Sequence, residues 1–568
     1  MSVVFRLSVL TAVAVLEAAP VFAERLAFEG AGLDLAADAQ RLSNTGFEQA
    51  DNDLAEEWAF WADGYDRIAD AGRNGGAAVR CVSNDAEAQH GARQVVRLDQ
   101  TVPRILVARG WSRAEGVDGS SNTGYAIYLD ITYADGDHLW GETADFRTGT
   151  HDWEQRQCVV MPSKPIRELT AHVLFRGHTG MVWFDDVELF ELTDRMMLFE
   201  GVPVSGLGEA PEIRAITTLR TEDGLTLDLD ANTGFIDSLA VNGRPIGGGA
   251  PCLFVRDAAA ESDFVVPDAW AAQEGEEVAI GGALPSMEAR LAARFTARAD
   301  RIELAGEICD ERGEDRAVTV YVAVPVQGED WLWCEDARRA EPACGLMVNA
   351  QATGAGATGT CSPYPLAALA GPRGGIAIAT PLDDPRHQRL GYDAHTGLLF
   401  AAFDLGLSPD AAKSPGRATF RVLFYTFGPE WQFRAALERY YALFPDAFEK
   451  RVPCEGLWMA FTDISAVEDP ADFGFAFHEG TNNVPWDEAN GVLSFVYTEP
   501  MTQWLALPKE VERSHAGVVG YLDALRGCDD PAERDMAALV DGSAVRDAAG
   551  NHVLGVHDTP WCDGAVWS

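Results

Sequence analysis

Lysine is scarce in this chain. Only Lys164, Lys413, Lys450 and Lys509 stand among 44 basic residues, the rest being Arg, against 88 acidic ones. The formal net charge of −44 argues against a nucleic-acid surface, because phosphates need clustered cations. It also disfavours drawing in a polyanion by overall field, although a local Arg-lined groove stays open. After the first residues no run approaches the ~20 uninterrupted apolar residues of a membrane span. There is no CxxC and no Cys/His cluster, so zinc is not indicated. No GxSxG elbow, Walker loop or HExxH is present, and His478-Glu479 lacks the second His. Gly371-Pro372-Arg373-Gly374-Gly375 has no strand–helix setting and reads as a turn, not a phosphate cradle. Tandem repeats and low-complexity tracts are missing too.

What is present is long and apolar enough to fold. At 568 residues and 47% apolar content the chain is expected to form about three or four domains. Arg6, the short apolar stretch Leu7 to Leu16 and the small residues around Val21-Phe22-Ala23 read as a cleavable secretory signal over 1–23, so a secreted or periplasmic location is expected. No Cys near that point suggests a lipid anchor. Export permits disulfides among the ten Cys; Cys334 with Cys344 and Cys81 with Cys158 are candidate pairs, with buried thiols the equal alternative. The closing run from Thr559 to Ser568 is aromatic and strand-like, and the chain is expected to continue beyond it.

Residues 24–195 alternate apolar and polar in short runs parted by Gly, Asn and Asp. Tyr125-Ala-Ile-Tyr-Leu-Asp-Ile-Thr-Tyr133 followed by Ala134-Asp135-Gly136-Asp137 is one such run, and Gly180 to Phe190 is another. Period-two alternation with regular turns predicts an antiparallel sandwich. Residues 205–428 continue in strands, with an Asn242-Gly243 hairpin signal. Pro429 opens a helical pattern in a 429–450 linker. Strands alternating with helices over 451–568 predict βα units. Only 118 residues follow Lys450, under half of the ~250 of a full (β/α)8 barrel. The expected fold class is therefore mainly β and multidomain, ending in a partial, truncated TIM-like α/β barrel, and a monomer is expected.

One constellation runs Asn44-Thr-Gly-Phe-Glu48, Trp58, Asp135-Gly136 before Trp140, Gly149-Thr-His-Asp-Trp153, then Trp183-Phe-Asp-Asp-Val-Glu-Leu189. In this order it resembles the CenC-type carbohydrate-binding modules over residues 42–192, which implies a galactose-binding-like jelly roll. The resemblance implies that the opening and closing motifs are neighbours, and that Glu48 and Asp186 ligate a structural Ca2+ with loop carbonyls; turn-capping carboxylates without metal are the alternative. Sugar binding needs flat apolar faces for pyranose CH groups and polar groups for hydroxyls. Trp61, Tyr65, Trp111, Tyr125 and Trp140 are the candidate platforms, while Phe47, Trp153 and Trp183 are expected in the framework.

Asp228 to Gly243 resembles the start of the β-supersandwich domains that precede catalytic barrels in several glycoside hydrolase groups. After the linker, Trp458 to Asp463, Phe473 to Gly480, Asp487-Glu488 and Tyr497-Thr-Glu499 look like the opening of such a barrel. Glycosidases use two carboxylates about the scissile bond, so Asp463, Glu479, Glu499 and Asp563 are the catalytic candidates; binding one sugar or capping helices is the alternative for each. The expected function is binding of extracellular polysaccharide and, in a complete form, glycosidic hydrolysis. A non-catalytic glycan-binding or adhesion protein is the second reading and a polysaccharide lyase the third.

Overall fold

The structure is a computed structural model. It describes residues 24–27, 35, 38–192, 197–209, 215–230, 233–258, 263–268, 270–274, 277–328, 330–350, 362, 364–498, 503–547, 550–558 and 563–567. The expected signal segment and Glu499 lie outside the described residues, and of Asp563 only the backbone is described. The chain forms two units, 1–448 and 449–568.

The first sandwich arises from the alternation seen in the sequence. Its main strands are β1 (Ala59–Phe60), β2 (Asp66–Ile68), β3 (Ala78–Ser83), β4 (Gln89–Arg97), β5 (Leu106–Val117), β6 (Tyr125–Tyr133), β7 (His138–Asp145), β8 (Gly149–Val160), β9 (Ile166–Arg176) and β10 (Gly180–Glu191). They pair into one sheet in the order β7-β6-β9-β4-β1 and a second in the order β8-β5-β10-β3-β2. Odd-numbered residues of β6, from Tyr125 to Tyr133, point inward and are buried, while Tyr128, Asp130 and Thr132 are only half-buried, as strand pleating requires. Phe47, Tyr125, Phe146, Phe175 and Phe184 fill the space between the sheets. The opening and closing motifs are neighbours, because the Val187 N–H donates to the Thr45 carbonyl at 2.8 Å.

The second sandwich faces a five-stranded sheet (Leu253–Asp257, Arg316–Pro325, Leu398–Leu407, Arg389–Asp393, Leu346–Ala350) against a nine-stranded one, around one continuous apolar core. Helix α1 (Phe433–Leu443) lies where the linker helix was expected. It seats Phe433, Ala436, Tyr440 and Leu443 on the nine-stranded sheet, whose Ala368, Ala370, Ala377 and Ala379 leave room for it. The Tyr440 hydroxyl fixes that seat by donating to the Thr380 carbonyl at 2.6 Å.

The partial barrel expected over 451–568 is corrected. Leu457–Ala460, Phe475–Glu479 and Leu493–Phe495 do form a parallel sheet, with α2 (Val484–Ala489) in the second crossover. Beyond it, α3 (His515–Arg526) packs on α4 (Pro531–Ser543) through Val518, Leu522, Ala537 and Val540. The remaining strands, Gln503–Ala506, Gly555–Asp558 and Asp563–Trp567, are antiparallel. The cause is connection length: parallel neighbours need a crossover of about a dozen residues, and only residues 559–562 lie between Asp558 and Asp563. Among the described residues no helix is long and apolar enough to cross a membrane. Cys81, Cys158, Cys334 and Cys344 are free thiols, not disulfides.

Candidate functional site

The outward face of the β7-β6-β9-β4-β1 sheet gathers aromatic and polar groups. Register places Arg93 of β4 opposite His172 of β9, and His172 opposite Tyr128 of β6. The next outward row holds Val95, Thr170, Asp130 and Trp140. The Trp61 ring meets His172 edge-on at 6.2 Å, and Tyr128 meets it at 5.7 Å. Arg176, four residues along β9, lies 5.6 Å from the Trp61 ring and 5.4 Å from the Tyr128 ring. Trp140 is 60% exposed and stacks on His138 at 4.4 Å.

The electrostatics of this face follow from burial. His172 is 5% exposed, and its Nδ1 has no hydrogen-bond partner among the described residues. Burial first, then the Arg93 and Arg176 charges, hold its pKa below the ordinary value, against the pull of Asp130. The Tyr128 phenol is pushed up chiefly by burial and next by Asp130. The site thus combines flat rings with fixed donors and acceptors, the ingredients of saccharide recognition.

The expected platforms divide. Trp61 and Trp140 belong to this face. Tyr65 and Tyr125 are corrected to core residues at 7% and 0% exposure: the Tyr65 hydroxyl donates to the Trp58 carbonyl at 2.8 Å, and the Tyr125 hydroxyl is 2.6 Å from Ser112 Oγ. Trp111 sits on the other sheet, where the Arg73 guanidinium covers its ring at 4.3 Å. Tyr128, His172, Arg93, Arg176 and Asp130 are the members that sequence reasoning missed.

The expected Ca2+ ligands Glu48 and Asp186 meet Asp185 around Gly46, whose added Cβ would lie 3.6–3.7 Å from all three side chains. One oxygen of each is already engaged. Glu48 Oε1 accepts the Ala77 N–H at 3.0 Å, and Asp186 Oδ2 accepts Arg73 Nη2 at 2.7 Å and Nε at 3.0 Å. Asp185 accepts the Arg73 and Asp186 N–H groups, both at 2.7 Å. Calcium takes six to eight oxygens, and among the described residues no group of three or more His, Cys, Asp or Glu is arranged to hold a metal. As placed, these residues form no calcium shell, and the Arg73 guanidinium supplies the local positive charge. Chelation should therefore leave the melting of the intact chain unchanged, whereas Arg73→Ala should cost about 1–2 kcal/mol through lost charged hydrogen bonds and ring contact, read by thermal unfolding with and without EDTA.

Burial, reinforced by Asp186 and Glu48, pushes the Asp185 pKa up to about 6 despite those N–H donors. A carboxyl held above its unfolded value binds its proton more tightly in the fold. Its penalty on stability grows as pH rises from about 4, the unfolded value, and is complete above the folded one. Asp185→Asn should flatten the stability profile between those limits, measured as denaturation midpoints against pH.

Of the catalytic candidates, Asp463 and Glu479 have described side chains, and each is held by neighbouring donors. Asp463 caps the turn Ile464–Ala466: it accepts from Ser465 N at 2.9 Å, Ser465 Oγ at 2.6 Å and Asn483 Nδ2 at 3.2 Å. The Ser465 hydroxyl bond leads in holding its pKa below the usual range. Glu479 Oε2 accepts from Trp458 Nε1 at 2.9 Å. Beneath them lies a buried pair the sequence did not signal. His478 Nδ1 is 2.6 Å from Asp487 Oδ2, which also accepts from Ser494 Oγ at 2.7 Å.

A cavity of about 690 Å3 opens between the two sandwiches, lined in part by Glu142, Arg256, Thr319, Glu200, Tyr321 and Arg389. Glu200 caps a hairpin at φ 44°. Its carboxylate takes the Tyr321 hydroxyl at 2.6 Å and a close bond from Arg389. Close by, burial pushes Asp393 up to about 8. The arrangement ties the hairpin between the sandwiches to the second one.

No protein-family model matches the chain. It is 30% identical over 141 residues to the tRNA3(Ser)-specific nuclease WapA of Bacillus spizizenii, covering 24% of this chain. It is 35% identical over 103 residues to the tRNA nuclease WapA of Bacillus subtilis, covering 17% of this chain. The chain spans about 6% and 4% of the lengths of these relatives. Among solved structures, the CBM22-1 xylan-binding domain of Paenibacillus barcinonensis Xyn10C aligns at TM-score 0.22 and 13% identity, over 28% of this chain and 97% of that one. A putative aldose 1-epimerase of Klebsiella pneumoniae aligns at TM-score 0.27 and 12% identity, over 40% and 83%. Scores this low carry no argument about function.

Proposed function

We propose that this chain binds a glycan on the outward face of the β7-β6-β9-β4-β1 sheet. The observation that carries the reading is the gathering of the Trp61 and Tyr128 rings about Arg176, beside the half-orphaned His172, on a sheet face. Rings of this kind stack on pyranose CH groups, while Arg93, Asp130 and His172 answer hydroxyls. Titration of the intact chain with soluble oligosaccharides by calorimetry tests it; a panel that gives no heat overturns it.

Capture without turnover is the reading we favour over hydrolysis, because Asp463 and Glu479 are both engaged by neighbouring donors. Export through residues 1–23 and hydrolysis by a longer gene product remain parts of the proposal that rest on the sequence. Reducing-sugar release by that longer product is the measurement for the second. Release from any glycan that this sheet binds would replace capture with catalysis.

A further inference from the structure

The charges on the binding face are unevenly matched. The chain carries two acidic residues for every basic one, and most arginines of the first sandwich are satisfied. Arg73 is paired with Asp186, Arg80 with Asp66, Arg97 with Asp99, Arg109 with Glu188 and Arg147 with Glu154. Arg93 and Arg176 are different. Among the described residues neither has a carboxylate within ion-pair distance, and both bear electrostatically on His172. Their positions are fixed by the sheet: Arg93 lies directly across from His172, and Arg176 stands four residues beyond it on the same face, a distance of roughly 13 Å along the strand at ~3.3 Å per residue. The Arg176 guanidinium lies against both the Trp61 and the Tyr128 ring, so less rotamer freedom is left to lose when a ligand arrives. His172 adds a buried, unpartnered ring nitrogen to the same patch.

Two guanidinium groups on one sheet face, with no carboxylate partner among the described residues, are placed to meet an anionic ligand. A guanidinium offers parallel N–H donors that fit a planar carboxylate in bidentate fashion. Resting on the glycan-binding reading above, we infer that the glycan held on this face is acidic, a saccharide bearing uronate carboxylates that Arg93 and Arg176 meet while Trp61 and Tyr128 stack on its rings. The net charge of −44 does not forbid this. At physiological ionic strength charges farther off than about 8 Å are largely screened, so the outcome is set by the groups in contact. The overall field slows the approach of such a ligand, whereas the two arginines set how long it stays.

The test uses the intact chain and short oligosaccharides of matched length in three arms: uronate-bearing, sulfated and neutral, each titrated calorimetrically. Uronate oligomers should bind at least tenfold more tightly than neutral ones. Arg93→Gln with Arg176→Gln should abolish the uronate preference, bringing uronate and neutral affinities to the same level, with circular dichroism showing that the fold is retained. Arg176→Lys, which keeps the charge but not the planar fork, should fall between. Equal affinity for uronate and neutral oligomers, or a uronate preference that survives the double variant, overturns the inference while leaving glycan binding in place. A preference for sulfated over uronate oligomers overturns the carboxylate assignment. Absence of binding in all three arms instead removes the glycan reading on which the inference rests.

Discussion

Replacing Trp61 and Tyr128 together by Ala should weaken glycan binding by about 100-fold or more, with the fold retained. Each ring offers a stacking surface, and buried aromatic anchors commonly cost about 2 kcal/mol or more when truncated, or roughly 30-fold apiece. The two act through the same guanidinium, since Arg176 lies against both, so the double loss should fall short of the sum of the single losses. Trp111→Ala is the matching control. Its ring is on the other sheet, where it carries the Arg73 guanidinium, so the change should alter stability and leave affinity nearly unchanged. Calorimetric titration of the three variants reads all of this; an affinity change for Trp111→Ala as large as for the double variant would misplace the site.

Arg389→Met should produce the largest loss of stability. Glu200 has a side chain only 10% exposed, and without Arg389 its carboxylate keeps the Tyr321 hydroxyl as its main partner. Removing one member of a buried ion pair typically costs about 3–5 kcal/mol, because the other charge is left without compensation. The transition of the second sandwich should drop by on the order of 10 °C, seen by calorimetric scanning. Glu200→Gln added to Arg389→Met should recover much of the loss, since the orphaned charge is then gone. Affinity for glycan should not follow either change, because the cavity and the β6-β9 face are separate. A fall in stability that Glu200→Gln cannot repair would mean that Arg389 acts by packing alone.

Much of the architecture was legible in the residues, and the reasons differ by element. The first sandwich could be read because strands such as β6 bury one face more than the other, so that alternation survives in the sequence. The linker helix could be read from the helical pattern that Pro429 opens; within it Trp431 is exposed, and Phe433, Ala436 and Tyr440 make the buried stripe. The C-terminal barrel could not, because an apolar strand carries no mark of whether its neighbour is parallel; that is settled by the length of the connection. The binding face was half legible. Tyr125 and Tyr128 look alike as aromatics in one strand, yet parity separates them: Tyr125 shares its side with Ile127, Leu129 and Ile131, Tyr128 with Asp130 and Thr132. The polar company of Tyr128 was the available signal. His172, Arg93 and Arg176 had no comparable signal, since they meet only through cross-strand register, which a single strand does not encode. Glu48 and Asp186 were legible as neighbours, whereas the Arg73 partner of Asp186 was not, because it stands far off in sequence and reaches the carboxylate only in the fold.

Hydrogen–deuterium exchange on the intact chain, with and without saturating oligosaccharide, tests the central claim most directly. Binding on the proposed face should slow exchange in peptides covering Tyr125–Tyr133 and Ile166–Arg176 while leaving Gly149–Val160 and the hairpin at Glu200 unaltered. Protection confined to the opposite sheet, to the cavity by Arg389 or to residues beyond 448 would contradict it.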